Sequence, residues 1–290
     1  MKIYDCFTFF NELELLELRL ESLWDVVDCF VIVEADKTHA NIPKPFNFYE
    51  HLHDFEKYFS KIHYVMDNSV VEYKGVGDWS IENNQRNNIM KGLTDAAPDD
   101  LIMISDLDEI PNPAVLKTIR ESFICGEGFV DFIAFYDTYP YTPGKLVPFH
   151  SGMMINNFLN LSPVSCQQKF HSYYFDWVCR ELPWAGTVIG KFKFMESPQA
   201  FRNVREALPR IVDGGWHFSS MGGVDKFLEK ARSAPDFQTV SDKDKKFLEE
   251  AMTSGKYLLT GAKFVPCDLS EITLPMLPAF LKKYPHFVRS

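Results

Sequence analysis

The chain has 290 residues, 46% of them hydrophobic, so it is long enough to bury the core of one large domain. Its 40 acidic and 30 basic side chains give a net charge of -10. That balance argues against nucleic acid or an anionic membrane surface as the main partner, because no basic stripe is available to meet the phosphates. The six cysteines are scattered without a Cys-X-X-Cys pair, which argues against a zinc site and a disulfide framework and predicts reduced thiols.

The N-terminus does not have the pattern of a signal peptide. Asp5, Asn11 and Glu12 interrupt its apolar run before a hydrophobic signal region can form. No apolar stretch approaches the ~20 residues needed to cross a bilayer. We therefore expect a cytoplasmic protein with no membrane span, although work close to a membrane surface is compatible with this sequence.

The first half alternates strand-like and helix-like segments. In chain order, the apolar patterns predict a strand at 3–10, a helix at 12–24, a strand at 29–34, a helix at 49–59, a strand at 62–66, a helix at 80–93 with Ser80 as a possible N-cap, and a strand from 101. Strands that alternate with helices predict right-handed βαβ units. We therefore expect an α/β fold with a mainly parallel central sheet flanked by helices.

The strand that starts at Leu101 leads directly into acids. Leu101–Ile104 is apolar throughout, as in a strand buried on both faces, and Asp106, Asp108 and Glu109 follow it. Open α/β sheets bind ligands at this carboxyl end. The two aspartates have no basic neighbour in the sequence, so we expect a cation between them, and oxygen ligands favour Mg²⁺ or Mn²⁺ bridged to a substrate phosphate. The alternative is an acidic turn whose aspartates cap the next helix.

The pattern changes after Pro113. Segments at 129–141, 145–159, 166–179 and 187–195 are β-rich and aromatic, and helices are predicted at 224–232, at 242–252 and in a short proline-flanked segment near the C-terminus. We see no internal repeat and no low-complexity linker. One domain over residues 1–290 fits this pattern, with a β-rich second half and C-terminal helices.

Two further clusters lie in the first half. Glu34 and Thr38 follow the second strand, where polar side chains can hold a base or a ribose; the alternative is an ordinary capped loop. Gln85 and Arg86 lie on one helix with Glu82, and Arg86 can contact a diphosphate as a planar fork. The alternative for this second cluster is a solvated helix face.

Two more clusters lie in the second half. Trp216 and His217 stand between two glycine pairs, so the backbone can approach a ligand closely and His217 can complete a metal site; the alternative is a structural histidine. Asp176 and Glu181 lie among aromatic residues, which suits a sugar-facing wall with a candidate base, or else a surface loop.

Several of these motifs resemble glycosyltransferase family 17. They are Phe10-Asn-Glu, Val31-Ile-Val-Glu-Ala, Gln85-Arg, Ser105-Asp-Leu-Asp-Glu-Ile-Pro and Gly215-Trp-His-Phe-Ser, and they occur in order from about residue 3 to the C-terminal helix. The resemblance implies a GT-A-like fold, a UDP-sugar donor (UDP-GlcNAc in the characterised member), inversion at the anomeric carbon and a divalent metal. It also implies a glycan or glycoconjugate acceptor.

The resemblance and the clusters together assign roles to residues. Residues 1–112 would form the nucleotide-sugar half and 113–290 the acceptor half. The metal ligands would be Asp106, Asp108 and His217, and the donor contacts Glu34, Thr38, Gln85, Arg86, Asp106 and Trp216. The base would be Glu181, Asp213 or Asp176, with Glu181 favoured. Two alternatives stay open: a metal-dependent phosphoryl hydrolase, which also uses aspartates at strand ends, and a catalytically inactive sugar-binding module.

Overall fold

Four parallel strands form one side of a large sheet. In the computed structural model, which describes residues 1–135, 146–149, 154–236, 245–255 and 262–289, these strands lie in the order β3-β2-β1-β4. They are β1 (Ile3–Phe9), β2 (Cys29–Ala35), β3 (Ile62–Asp67) and β4 (Leu101–Asp106). β1, β2 and β4 are mostly apolar on both faces because both faces of these strands are buried, each under a separate hydrophobic cluster.

The helices of the first half are shorter than predicted. They are α1 (Leu13–Leu23), α2 (Asn47–Glu50) and α3 (Ser80–Asn87). The segments predicted as helices at 49–59 and 80–93 continue as 3₁₀ turns over Leu52–Lys61 and Asn88–Gly92. Ser80 is the first residue of α3 and not its N-cap; its N–H donates to the Asp78 carboxylate at 2.9 Å.

The second half adds mostly short elements. They are β5 (Glu109–Pro111), α4 (Pro113–Cys125), β6 (Phe132–Phe135), β7 (Leu146–Phe149), α5 (Ile155–Leu159), β8 (Val164–Ser172), β9 (Trp177–Lys191), α6 (Pro198–Asn203), β10 (Arg210–Ser219), α7 (Val224–Ser233), α8 (Lys245–Thr253), β11 (Phe264–Pro266) and α9 (Leu277–Lys283). Parts of the segments predicted at 129–141, 145–159 and 242–252 lie outside the described residues. The prediction of β structure was wrong for Ile155–Leu159, which is helical.

The two halves share one mixed sheet. Its order across the main path is β3-β2-β1-β4-β9-β8-β10-β6-β7, with β11 paired to β9 and β5 paired to β10. The predicted α/β class with a β-rich second half is confirmed. Parallel pairing is confined to the first four strands and to β8 with β10, and the remaining pairings are antiparallel.

The glycine pair of β10 allows a close approach to β5. Gly215 has a φ of 144° and lies opposite Pro111 in the antiparallel pairing. A Cβ at this position would lie 2.2 Å from the carbonyl oxygen of Ile110, so any side chain would separate the two strands. The same pairing sets His217 opposite Glu109, which places the histidine next to the acidic turn.

The predictions about cysteines and membrane spans can be compared with the structure. All six cysteines are free thiols, as predicted. Among the described residues, none of the helices has the length and the apolar character needed to cross a membrane.

Candidate active site

A cleft of about 360 Å³ opens at the carboxyl ends of the parallel strands. Its walls include Thr8 and Phe10 at the end of β1, Thr38 after β2 and Asp106 at the end of β4. The opposite wall comes from the second half, with Trp184 on β9 and, further along the chain, side chains of β10 and α7. This is the edge of the sheet at which the sequence predicted a ligand site, and both halves of the chain contribute to it.

Asp106 has two basic partners, which corrects the expectation of an isolated acid pair. Arg86 donates to its Oδ1 at 2.8 Å and Arg202 donates to its Oδ2 at 3.1 Å. Burial alone raises the pKa of the Asp106 carboxyl, but the two guanidinium groups outweigh burial and hold the pKa well below its usual value. Each carboxylate oxygen of Asp106 therefore already has a charged donor.

Arg202 links Asp106 to a second buried acid. This guanidinium, on α6, also donates to Glu109 Oε1 at 2.5 Å and to the carbonyl oxygen of Gly186 at 2.6 Å. The indole N–H of Trp184 donates to the same Glu109 oxygen at 2.6 Å. The sequence analysis missed Arg202, and nothing local to α6 distinguishes it from a surface arginine.

Asp108 lies deeper in the cleft than Asp106 and faces two groups of the second half. Its Oδ2 accepts a hydrogen bond from Lys230 Nζ at 2.5 Å, and its Oδ1 is 3.6 Å from His217 Nε2. Burial raises the pKa of the Asp108 carboxyl, but Lys230 and then His217 outweigh burial and lower it. Asp108 is therefore a carboxylate at neutral pH.

His217 is held by aromatic stacking. Its ring contacts Trp184, with centroids 4.3 Å apart, and Phe170, with centroids 4.9 Å apart; Trp184 and Phe170 are 5.4 Å from each other, so the three rings form one triangular cluster. The following residue, Phe218, donates its backbone N–H to the carbonyl oxygen of Asp108 at 2.7 Å. β10 therefore carries both the His217 ring and the N–H group that binds the backbone of Asp108. His217 Nε2 points toward the Asp108 carboxylate.

A buried arginine on α1 holds the acidic turn from behind. Arg19 is fully buried and forms a bidentate pair with Asp5, at 2.6 and 2.8 Å. The same guanidinium donates to the carbonyl oxygens of Asp106, Leu107 and Glu109, at 2.9, 2.9 and 3.0 Å, and to Ser105 Oγ at 2.6 Å. These bonds satisfy buried acceptors in an irregular turn and fix the direction of both aspartates.

The predicted donor contacts separate into two groups. Thr38 and Gln85 line the cleft, and Gln85 Oε1 accepts a hydrogen bond from His39 Nε2 at 3.0 Å. Three others do not line the cleft: Glu34, Arg86 and Trp216. Arg86 is committed to Asp106, Glu82 and Gln199, and Trp216 packs in the main hydrophobic cluster, so neither faces a ligand.

Glu34 has an internal role. Its carboxylate accepts hydrogen bonds from the backbone N–H groups of Asn47 and Phe48, at 2.6 and 3.0 Å, from Lys44 at 2.7 Å and from Tyr64 at 2.8 Å. It caps the start of α2 from inside the core. An acid within the otherwise apolar run of β2 was the signal for this burial.

None of the three predicted bases lines the cleft. Asp176 pairs with Arg289 at 2.9 Å near the C-terminus. Glu181 is exposed on β9, and Asp213 projects into solvent from the bulge of β10, where its φ is 50°. The acids that do line the cleft are Glu12, Glu82, Asp106 and Asp108.

The donor atoms of this cleft fit a metal that is shared with a substrate. No group of three or more acidic, histidine or cysteine side chains suited to a metal occurs in the described part of the chain. Asp108 Oδ1 and His217 Nε2, 3.6 Å apart, are compatible with two ligands of one ion because ligand bonds to Mg²⁺ or Mn²⁺ are about 2.1 Å long. Substrate phosphates commonly supply the remaining ligands of such an ion.

Residues 1–129, which contain β1 to β5 and α4, match the sequence model for glycosyltransferase family 17. The resemblance to this family is confirmed. The beta-1,4-mannosyl-glycoprotein 4-beta-N-acetylglucosaminyltransferases of Homo sapiens and Rattus norvegicus are each 33% identical to the chain over 107 residues, and the Mus musculus protein is 32% identical. The aligned part is 35% of this chain and only 20% of each relative.

A solved structure was also matched at the level of the backbone. It is the mannosyltransferase PcManGT from Pyrobaculum calidifontis in complex with GDP-Man and Mn2+, at 10% sequence identity and a TM-score of 0.36. The match covers 77% of this chain and 57% of that structure.

Proposed function

We propose that this protein is a metal-dependent, inverting glycosyltransferase of GT-A-like design. It would transfer a sugar, GlcNAc by family resemblance, from a UDP-sugar to a hydroxyl of a glycan or glycoconjugate. The observation that carries the proposal is the convergence of Asp108 and His217 on the cleft at the carboxyl end of β4. Residues 1–112 would supply most contacts to the nucleotide, and residues 113–290 would supply most contacts to the acceptor.

Each side chain of the cleft has a proposed part. Asp108 and His217 would hold Mn²⁺ or Mg²⁺, which when bound offsets the charge that develops on the departing UDP. Asp106 would keep the acidic turn rigid through its ion pairs with Arg86 and Arg202. Because both of its oxygens are engaged, we do not propose it as a metal ligand. Thr38 and Gln85 would contact the donor, since both line the cleft next to the strands that hold the aspartates.

The acceptor hydroxyl needs a base within reach of the cleft. Glu12 lines it at the start of α1, with a side chain that is 23% exposed and an Oε1 that is 3.9 Å from Lys230 Nζ. Glu82 and both aspartates each have a basic side chain within 2.8 Å, which is much closer than the 3.9 Å contact of Glu12 with Lys230. We therefore propose Glu12 as the general base in place of Glu181, Asp213 and Asp176.

The experiment is donor hydrolysis measured across UDP-, GDP- and CMP-sugars, each with Mn²⁺ and with EDTA. The proposal predicts hydrolysis of a UDP-sugar that requires the metal and releases UDP. Release of inorganic phosphate from simple phosphate esters would favour the phosphoryl hydrolase. Binding of a sugar without turnover of any donor would favour the inactive module.

A further inference from the structure

Lys230 contacts the same carboxylate that is proposed to hold the metal. It lies on α7, whose apolar face packs through Phe227, Leu228 and Ala231. Its ammonium is 2.5 Å from Asp108 Oδ2, and the side chain is 39% exposed and lines the cleft. The lysine therefore contacts Asp108 from a partly exposed position on the wall of the cleft.

The ammonium and a divalent ion at Asp108 compete. Both are cations, and two positive charges on one buried carboxylate repel each other. The lysine stem is flexible, so the ammonium can move without a movement of the helix that carries it. A second acid, Glu12, is 3.9 Å from the ammonium on one side, and the open cleft lies on the other.

We propose that Lys230 is a donor-binding residue with two alternative partners. In the ligand-free protein it pairs with Asp108. When a metal and a nucleotide diphosphate bind together, the ion takes Asp108 and the ammonium contacts the diphosphate. This inference rests on the proposed function, because it requires a metal and a diphosphate in the cleft.

The consequence is a coupling between the two ligands. The metal alone must break the 2.5 Å contact between Lys230 and Asp108, so we expect the protein by itself to bind it weakly. With the diphosphate present, the displaced ammonium gains a new anionic partner, and metal and nucleotide each strengthen the binding of the other. A lysine that only braced Asp108 would produce no such coupling.

The test is calorimetry of wild-type protein, Lys230→Met and the control Lys226→Met. Lys226 lies on the same helix and pairs with Glu229 at 3.7 Å; it lines a small neighbouring pocket and not the cleft itself. Its replacement makes the same change in net charge as the replacement of Lys230. Mn²⁺ is titrated into each protein alone, and UDP is then titrated into each protein at saturating Mn²⁺.

We expect Lys230→Met to bind Mn²⁺ alone about tenfold more tightly than wild type and to bind UDP in saturating Mn²⁺ about tenfold more weakly, since each charged hydrogen bond is worth roughly that factor. Lys226→Met should stay within about twofold of wild type in both titrations.

Unchanged or weaker Mn²⁺ binding by Lys230→Met would overturn this inference while leaving metal-dependent transfer intact. Unchanged UDP binding by Lys230→Met in saturating Mn²⁺ would likewise overturn it, because it would show that Lys230 does not contact the diphosphate. If none of the three proteins bound Mn²⁺ with or without UDP, the metal dependence of the proposed function would fail first and the inference with it.

Discussion

Asp108→Ala is expected to lower the rate of sugar transfer by about 10³-fold or more, because it removes a carboxylate that holds the ion at the departing diphosphate. The fold should survive, since the partner left behind, Lys230, is 39% exposed and can turn toward water. The measurement is kcat with a UDP-sugar donor, alongside a thermal unfolding curve.

The matched control for Asp108→Ala is Asp99→Ala. Asp99 precedes β4 and pairs with Lys191 and Lys193 on the surface, where its side chain is 66% exposed. Its loss should leave kcat unchanged. A variant of Asp108 that retained near wild-type turnover would show that the acidic turn is only a structural turn.

Arg19→Met is expected to destabilise the protein by about 3–5 kcal/mol, because it leaves the carboxylate of Asp5 buried without a counter-charge. Asp5 and Arg19 are both fully buried, and the arginine also satisfies three backbone carbonyls of the acidic turn. The measurement is the free energy of unfolding from urea titration, and the m-value of the variant is compared with that of the wild type.

Two further variants test the cause of that loss. Arg120→Met removes a partly exposed pair with Asp28 and should cost less than about 1 kcal/mol. The double variant Asp5→Leu with Arg19→Met removes both buried charges and should recover part of the loss, the remainder being the unsatisfied carbonyls of the turn. A single Arg19→Met variant as stable as Arg120→Met would contradict the account of the buried pair.

The sequence was informative wherever the signal was local. Four apolar residues followed by acids predicted β4 and placed Asp106 and Asp108 at the ligand-binding edge, because a buried strand and its end are features of neighbouring residues. The glycines around His217 predicted a close backbone approach to a ligand, and the close approach that Gly215 makes is to β5.

The partners of the acids were not predictable from local patterns. Arg202 is 96 residues from Asp106 along the chain, and Lys230 is 122 residues from Asp108. Their side chains reach the two aspartates only because β9, β8 and β10 extend the sheet, and no periodicity in α6 or α7 reports that geometry. The expectation of an unpaired acid pair failed for this reason.

The proposed bases failed for a related reason. Asp176 and Glu181 were chosen because they lie among aromatic residues. Trp184 of that segment does line the cleft, but Asp176 and Glu181 do not, and Glu181 is exposed to solvent. Glu12, which lines the cleft, was singled out only as part of a motif at the end of β1. Which of these acids faces the cleft depends on the tertiary structure, and the composition of the segment around each acid does not encode it.

The central claim is that Asp108 and His217 bind a nucleotide diphosphate through a divalent ion. Calorimetry of UDP binding to the wild-type protein, in Mn²⁺ and in EDTA, tests it most directly. We expect measurable binding in Mn²⁺ and a loss of at least about tenfold in affinity in EDTA, because the ion that would link the diphosphate to Asp108 and His217 is then removed. Equal affinity in both conditions would contradict the account.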